Sequence, residues 1–256
     1  MNRKEALLAR LEGIGQALER TGRALALLGL GSVGRELERL DEYSDLDFFA
    51  IVQPGSKGDF INNLSWLSVV QPIAYSFLNT PDGHKVLFED GIFAEFAVFE
   101  PDDLTHIPFA EGRIVWKRPD FDETLLKPAP QRPHSERPLD WYIGEIVTNL
   151  YVGMERDRRG EHLSAFNFIQ QHAVARLVEM THHIEAEQPA FPDPFAPERR
   201  YEQRFPSLAE RLPGFMQGYS RNAESARAIV EYLDSRFSIN THMKQQILAL
   251  CAPQKG

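Results

Sequence analysis

With 256 residues, 43% of them apolar and 25% charged, the chain is long enough for one large or two modest domains with buried cores and too apolar to be disordered. A net charge of −9 argues against a broad basic surface for gripping a nucleic-acid backbone, so no nucleic-acid partner is expected. No apolar run approaches the roughly 20 residues that span a bilayer, and the single cysteine, Cys251, cannot form an internal disulfide; no membrane association is expected, and the cytoplasm is the expected compartment.

Residues 3–21 carry Leu7, Leu8, Leu11, Ile14 and Leu18 at helical spacing, which predicts an amphipathic helix ended by Thr21-Gly22. The apolar run 24–30 reads as a buried strand leading into a turn at Gly31-Ser32, with a short helix near 33–40. A second strand over 47–52 closes at Pro54-Gly55, and 60–70 reads as a helix. Segments 73–78, 85–89 and 92–99 form a β-meander, because Pro81-Asp82-Gly83 and Asp90-Gly91 are strong hairpin turns. Residues 113–116 add an edge strand.

Prolines at 119, 128, 130, 133 and 138 block both helix and central strand, which marks a boundary. The expected organisation is a first domain over 1–125, a Pro-rich linker over 126–138 and a second domain over 139–256. Beyond the boundary, 139–158, 161–188, 217–237 and 239–251 show apolar residues at helical spacing. The fold class is therefore α+β by segregation: an N-terminal mixed sheet with flanking helices, then a C-terminal helical bundle.

Two motifs share the same glycines. Gly29-Leu30-Gly31-Ser32-Val33-Gly34 matches the dinucleotide pattern GxGxxG, but that fold places an acid at the end of the second strand, about 20 residues on. Here the strand Phe48–Val52 ends in Gln53, and the acids Asp45 and Asp47 precede it. Hairpins follow instead of parallel strands alternating with helices, which disfavours the dinucleotide fold. Two carboxylates one residue apart at the mouth of a strand project to the same face, where both reach one hard cation; Mg²⁺ is commonly held by one or two carboxylates plus substrate phosphates.

The stretch GSVGRELERLDEYSDLDFFAIV, with Gly31-Ser32 separated from Asp45-Leu46-Asp47 by a twelve-residue spacer, resembles the nucleotidyltransferase signature of the polymerase β-like superfamily. Within it the chain is most similar to the two-domain lincosamide nucleotidyltransferases. The likeness rests on Tyr43-Ser44-Asp45-Leu46-Asp47-Phe48, on Glu95-Phe96 in FAEFAVFE, and on Arg158-Arg159-Gly160-Glu161 in the helical half. In place of the glycine-rich stretch of those relatives the spacer has Arg35-Glu36-Leu37-Glu38-Arg39. The resemblance implies Mg²⁺-dependent transfer of a nucleoside monophosphate from a nucleoside triphosphate, ATP being expected, to a hydroxyl of a small molecule such as an antibiotic, in a cleft between the two domains.

Glu95 is an acid within an otherwise apolar strand, flanked by Ala94 and Phe96, where an unpaired buried charge would cost several kcal/mol. As third metal ligand or as general base it would complete the set Asp45, Asp47 and Glu95; as one residue of an alternating strand it would simply face solvent. Gly31 and Ser32 are expected to contact phosphate through turn amides and a hydroxyl. Arg35, Arg39, Lys57, Arg158 and Arg159 are candidates for neutralising the triphosphate, the last two only through the resemblance. The eight histidines show no zinc-ligand spacing. A non-catalytic nucleotide-binding regulatory module, transfer to a protein side chain, and a homodimer are the alternatives that the sequence leaves open.

Overall fold

The computed structural model describes residues 2–128, 137–190, 192–193 and 196–253. The chain divides into two compact units, Met1–Arg132 and Pro133–Gly256. The first opens with helix α1 (Arg3–Arg20), whose N-terminus is closed by a capping box: Glu5 N–H donates to the Asn2 side chain at 2.9 Å, and Asn2 N–H donates to Glu5 at 3.0 Å. Six strands follow: β1 (Ala24–Leu30), β2 (Leu46–Val52), β3 (Ile73–Thr80), β4 (Gly83–Phe88), β5 (Phe93–Phe99) and β6 (Arg113–Lys117). They form one sheet in the order β3-β4-β5-β2-β1-β6. Only the central pair, β2 and β5, is parallel; the four other pairings are antiparallel. The direct antiparallel pairing of β1 with β2 rules out the dinucleotide topology that the glycines alone permitted.

Alternation along the strands sorts the two faces. Leu46, Phe48, Ala50 and Val52 of β2, with Ala94, Phe96 and Val98 of β5, pack on Leu7, Leu11, Ile14 and Leu18 of α1 and on Phe60, Trp66 and Leu67. Phe48 and Phe96 stack with ring centroids 5.1 Å apart, which ties the two parallel strands together. On the other face Ala26, Leu28, Ile51 and Phe99 join Leu104, Phe109 and Leu126 in a smaller core. That core covers the carboxyl-terminal halves of β2 and β5 and leaves their opposite ends half-exposed at Asp47 and Glu95.

Several expected helices are shorter or broken. The predicted helix near 33–40 is instead two 3₁₀ turns, Gly31–Val33 and Leu37–Arg39, separated by Gly34 and Glu36 in non-helical conformations. The 60–70 segment is α2 (Lys57–Asn62) and α3 (Ser65–Ser68), separated by Asn63 in an extended conformation. Leu126, inside the expected linker, is buried at the end of a 3₁₀ turn over Glu123–Leu126, and residues 129–136 of that linker lie outside the described residues.

The second unit is helical. Ile146, Leu150 and Met154 of α4 (Leu139–Arg158) pack with Leu177 of α6 (Val174–Glu179), Ile229 and Leu233 of α10 (Asn222–Arg236) and Ile247 of α11 (Thr241–Leu250). Short helices α5 (His162–Phe166), α7 (Tyr201–Arg204), α8 (Pro206–Ala209) and α9 (Leu212–Phe215) complete the order among the described residues. The stretch predicted as one helix over 161–188 is interrupted by a π-helical segment, Asn167–Ala173, and its last α-helical residue is Glu179. The π segment turns Gln170 fully inward, where it donates to Gly218 O at 2.8 Å and Asn222 Oδ1 at 2.9 Å. Among the described residues, no helix is long and apolar enough to cross a membrane.

Candidate active site

The carboxylate strand is delivered by a turn built from side chains. Asp41 Oδ1 accepts from Tyr43 N–H and Ser44 Oγ–H, both at 2.9 Å, and its own N–H donates to Ser44 Oγ at 3.0 Å. The Ser44 hydroxyl, followed by the Tyr43 amide, holds the Asp41 carboxyl below its ordinary range. This closed turn places Asp45 at the last position before β2. An Asp and a Ser three residues apart are the sequence signal for it, a turn signature unrelated to metal binding.

Asp47 lies in β2, in register with Leu30 of β1 on one side and with Glu95 of β5 on the other. Glu95 in turn faces Lys85 of β4, and Lys85 faces Phe77 of β3. Register partners point to the same side of a sheet and neighbouring strands are about 4.8 Å apart, so Asp47 and Glu95 are adjacent on one face. Glu95 is neither buried nor unpaired. Its side chain is 43% exposed, Oε2 is 3.1 Å from Lys85 Nζ, and Oε1 accepts from Asn79 Nδ2 at 3.1 Å.

Where β1 ends, Gly31 adopts φ +54° and begins the first 3₁₀ turn. A Cβ there would sit 2.8 Å from Asp47 Oδ2, so glycine is required both by the backbone and by the nearness of the carboxylate. Ser32, the next residue, is only 8% exposed. The turn is held from β6 by Arg113, whose Nε donates to Val33 O at 3.2 Å, a contact between residues 80 positions apart that no local pattern signals.

The candidate phosphate cations are each engaged by other groups of their own unit. Arg35 pairs with Glu111 and Arg39 with Glu36. Lys57 follows β2 at the end remote from Asp47, held between Asp82 at 2.7 Å and Asp103 at 2.9 Å. It therefore stands away from the acids and is removed from the set of phosphate ligands. In the second unit the Arg158 Nε donates to Leu250 O at 2.7 Å, and its Nη2 reaches the carbonyls of Leu250 and Ala252. This fastens the end of α11, a structural duty that the resemblance did not indicate. Arg159 pairs at 3.2 Å with Glu161 and is more than half exposed.

Asp45, Asp47 and Glu95 suit a hard divalent cation in donor type, and the Gly31 turn packs directly against the Asp47 carboxylate. Among the described residues, no three His, Cys, Asp or Glu side chains are gathered as a metal-binding group as they stand. At Glu95 both oxygens are already engaged by Asn79 and Lys85.

No family model matches the chain, and no curated protein matches it. Among solved structures, an aminoglycoside 6-adenyltransferase from Bacillus subtilis is similar over 96% of this chain and 92% of its own, at 13% identity and a TM-score of 0.35.

Proposed function

We propose that the protein is a nucleotidyltransferase that moves a nucleoside monophosphate from a nucleoside triphosphate, ATP for preference, to a hydroxyl of a small molecule of the antibiotic type that lincosamides represent. The observation that carries this reading is the side-by-side placement of Asp47 and Glu95 on parallel strands, with the glycine turn seated on the Asp47 carboxylate. Two acids side by side at the partly exposed end of a sheet, beside a tight glycine turn, are an arrangement for a cation and a polyphosphate.

Mg²⁺, when bound by Asp45, Asp47 and Glu95, would neutralise the triphosphate and polarise the α-phosphorus. The Gly31-Ser32 turn would orient the phosphates, and Arg35 and Arg159 are the cations proposed to offset their charge. With Glu95 as a metal ligand the proton of the acceptor hydroxyl would pass to solvent; with Glu95 as general base it would pass to Glu95. The acceptor oxygen then forms a bond to the α-phosphorus, the bond from that phosphorus to the bridging oxygen breaks, and pyrophosphate leaves with the electron pair.

The test is a mass-spectrometric screen of candidate acceptors against each triphosphate with Mg²⁺. A mass gain of one nucleotide on an acceptor, together with release of pyrophosphate, is the expected result. Triphosphate binding without pyrophosphate release across the panel would favour a regulatory module, and a labelled protein band would favour transfer to a side chain.

A further inference from the structure

The side chain opposite Glu95 is basic. Lys85 and Glu95 are register partners in β4 and β5, and Glu95 and Asp47 are register partners in β5 and β2, so the three charges form one row across three strands. Within that row the Lys85 ammonium lies 3.1 Å from Glu95 Oε2, while Asn79 holds Oε1. Both members of the ion pair are close to two-fifths exposed, 41% for Lys85 and 43% for Glu95. Water screens such a pair and its net strength is small, so a doubly charged ion competes with it readily.

We propose that Lys85 is an internal counter-ion that occupies the cation position at Glu95 and leaves it when a divalent ion is loaded. The proposal rests on the reading of Glu95 as a metal ligand. It accounts for a third carboxylate that is aligned with Asp47 and yet has both oxygens engaged. Asn79 supplies the second half of the device. Its Oδ1 is buried without a hydrogen-bond partner, while its Nδ2 is committed to Glu95. A buried acceptor left unsatisfied is unfavourable, and an ammonium with three donors is the kind of group that would relieve it once Glu95 is taken. Lys85 is thus a positioning residue: it keeps Glu95 aligned before loading, and it sets how tightly the cation is held afterwards.

The test counts bound metal and does not depend on turnover. Mn²⁺ is titrated into the full chain in the presence of a non-hydrolysable nucleoside triphosphate, with free Mn²⁺ followed by electron paramagnetic resonance. Wild type, Lys85→Met, Lys85→Arg, Glu95→Gln and the Lys85→Met/Glu95→Gln double variant are compared. Removing a weak competitor tightens the Mn²⁺ site by about two- to fivefold in Lys85→Met. Lys85→Arg keeps the wild-type affinity or weakens it. In the Glu95→Gln background the Lys85 change has no effect, because the competition it relieves is gone. Wild-type or weaker affinity in Lys85→Met, or equal tightening with and without Glu95, overturns the proposal while leaving the metal site intact. Failure of the wild type to bind Mn²⁺ with the triphosphate, or unaltered binding in Glu95→Gln, overturns the reading of Glu95 as a ligand and this proposal with it.

Discussion

Gly31 and Asp47 are in contact at the end of the sheet: a methyl group on Gly31 would lie 2.8 Å from the Asp47 Oδ2, and the backbone there has φ +54°. Two independent constraints therefore fall on one residue. Gly31→Ala would strain the turn and push the carboxylate aside, costing about 1–3 kcal/mol of stability. Transfer activity should fall further than stability accounts for. Urea denaturation and turnover measured on the folded fraction separate the two effects, and unchanged turnover with saturating metal would contradict a functional role for the contact.

Asp47→Asn and Glu95→Gln keep the shape of each side chain and remove its charge. Both carboxylates are partly exposed at the strand ends, so the fold should be retained. Each variant is expected to lower kcat by about a hundredfold or more, as removal of a group that stabilises transition-state charge does. Near-UV circular dichroism should match the wild type. An Asp47→Asn protein with full activity at saturating metal and triphosphate would remove the metal site from the mechanism.

The Arg158 and Arg159 variants should diverge. Arg158 donates to the carbonyls that end α11, so Arg158→Ala leaves those acceptors unmatched and should lower the stability of the helical unit by about 1–3 kcal/mol. Arg159→Ala removes an exposed pair with Glu161 and should stay within about 0.5 kcal/mol of wild type. If Arg159 meets the triphosphate, its loss raises KM for the nucleotide. Thermal unfolding and nucleotide titration read the two quantities apart.

Acid stability should depend on Asp90, which accepts a hydrogen bond from Arg10 Nη2 at 2.5 Å and so joins α1 to the turn between β4 and β5. Burial by itself would raise the Asp90 pKa, but the Arg10 bond and the Ile92 amide outweigh it and hold the carboxyl below its ordinary value of 3.8. A depressed folded pKa contributes stability that is present above the unfolded value and lost as pH falls through the folded one. Asp90→Asn should therefore destabilise the protein at neutral pH, and its deficit relative to wild type should shrink below pH 3.8. Urea midpoints at neutral and acid pH check this, and a deficit that persists unchanged into strong acid would contradict it.

Much of the site was legible from local pattern. The alternation Leu46, Asp47, Phe48 placed one acid on the face opposite the core, and the two hairpin turns put Glu95 within a strand. For Glu95 the sequence left a buried charge and a solvent-facing residue both open, because a strand's alternation does not say which of its faces is covered. The short core over Ile51, Phe99 and Phe109 stops before reaching Asp47 and Glu95, and only the packing of 104–126 reveals that.

Chain chemistry of short range was sufficient for the strands, the first helix, the hairpins, and the α+β division, since each follows from propensity and periodicity within a few residues. Long-range packing settled the parallel pairing of β5 with β2, the seating of Gly31 on Asp47 and the attachment of Arg158 to the last helix. Register between strands that are some 48 residues apart, as Asp47 and Glu95 are, is fixed by which side chains share a core. Periodicity along one strand records the face that a residue takes; the neighbour it meets there is a property of the assembled sheet.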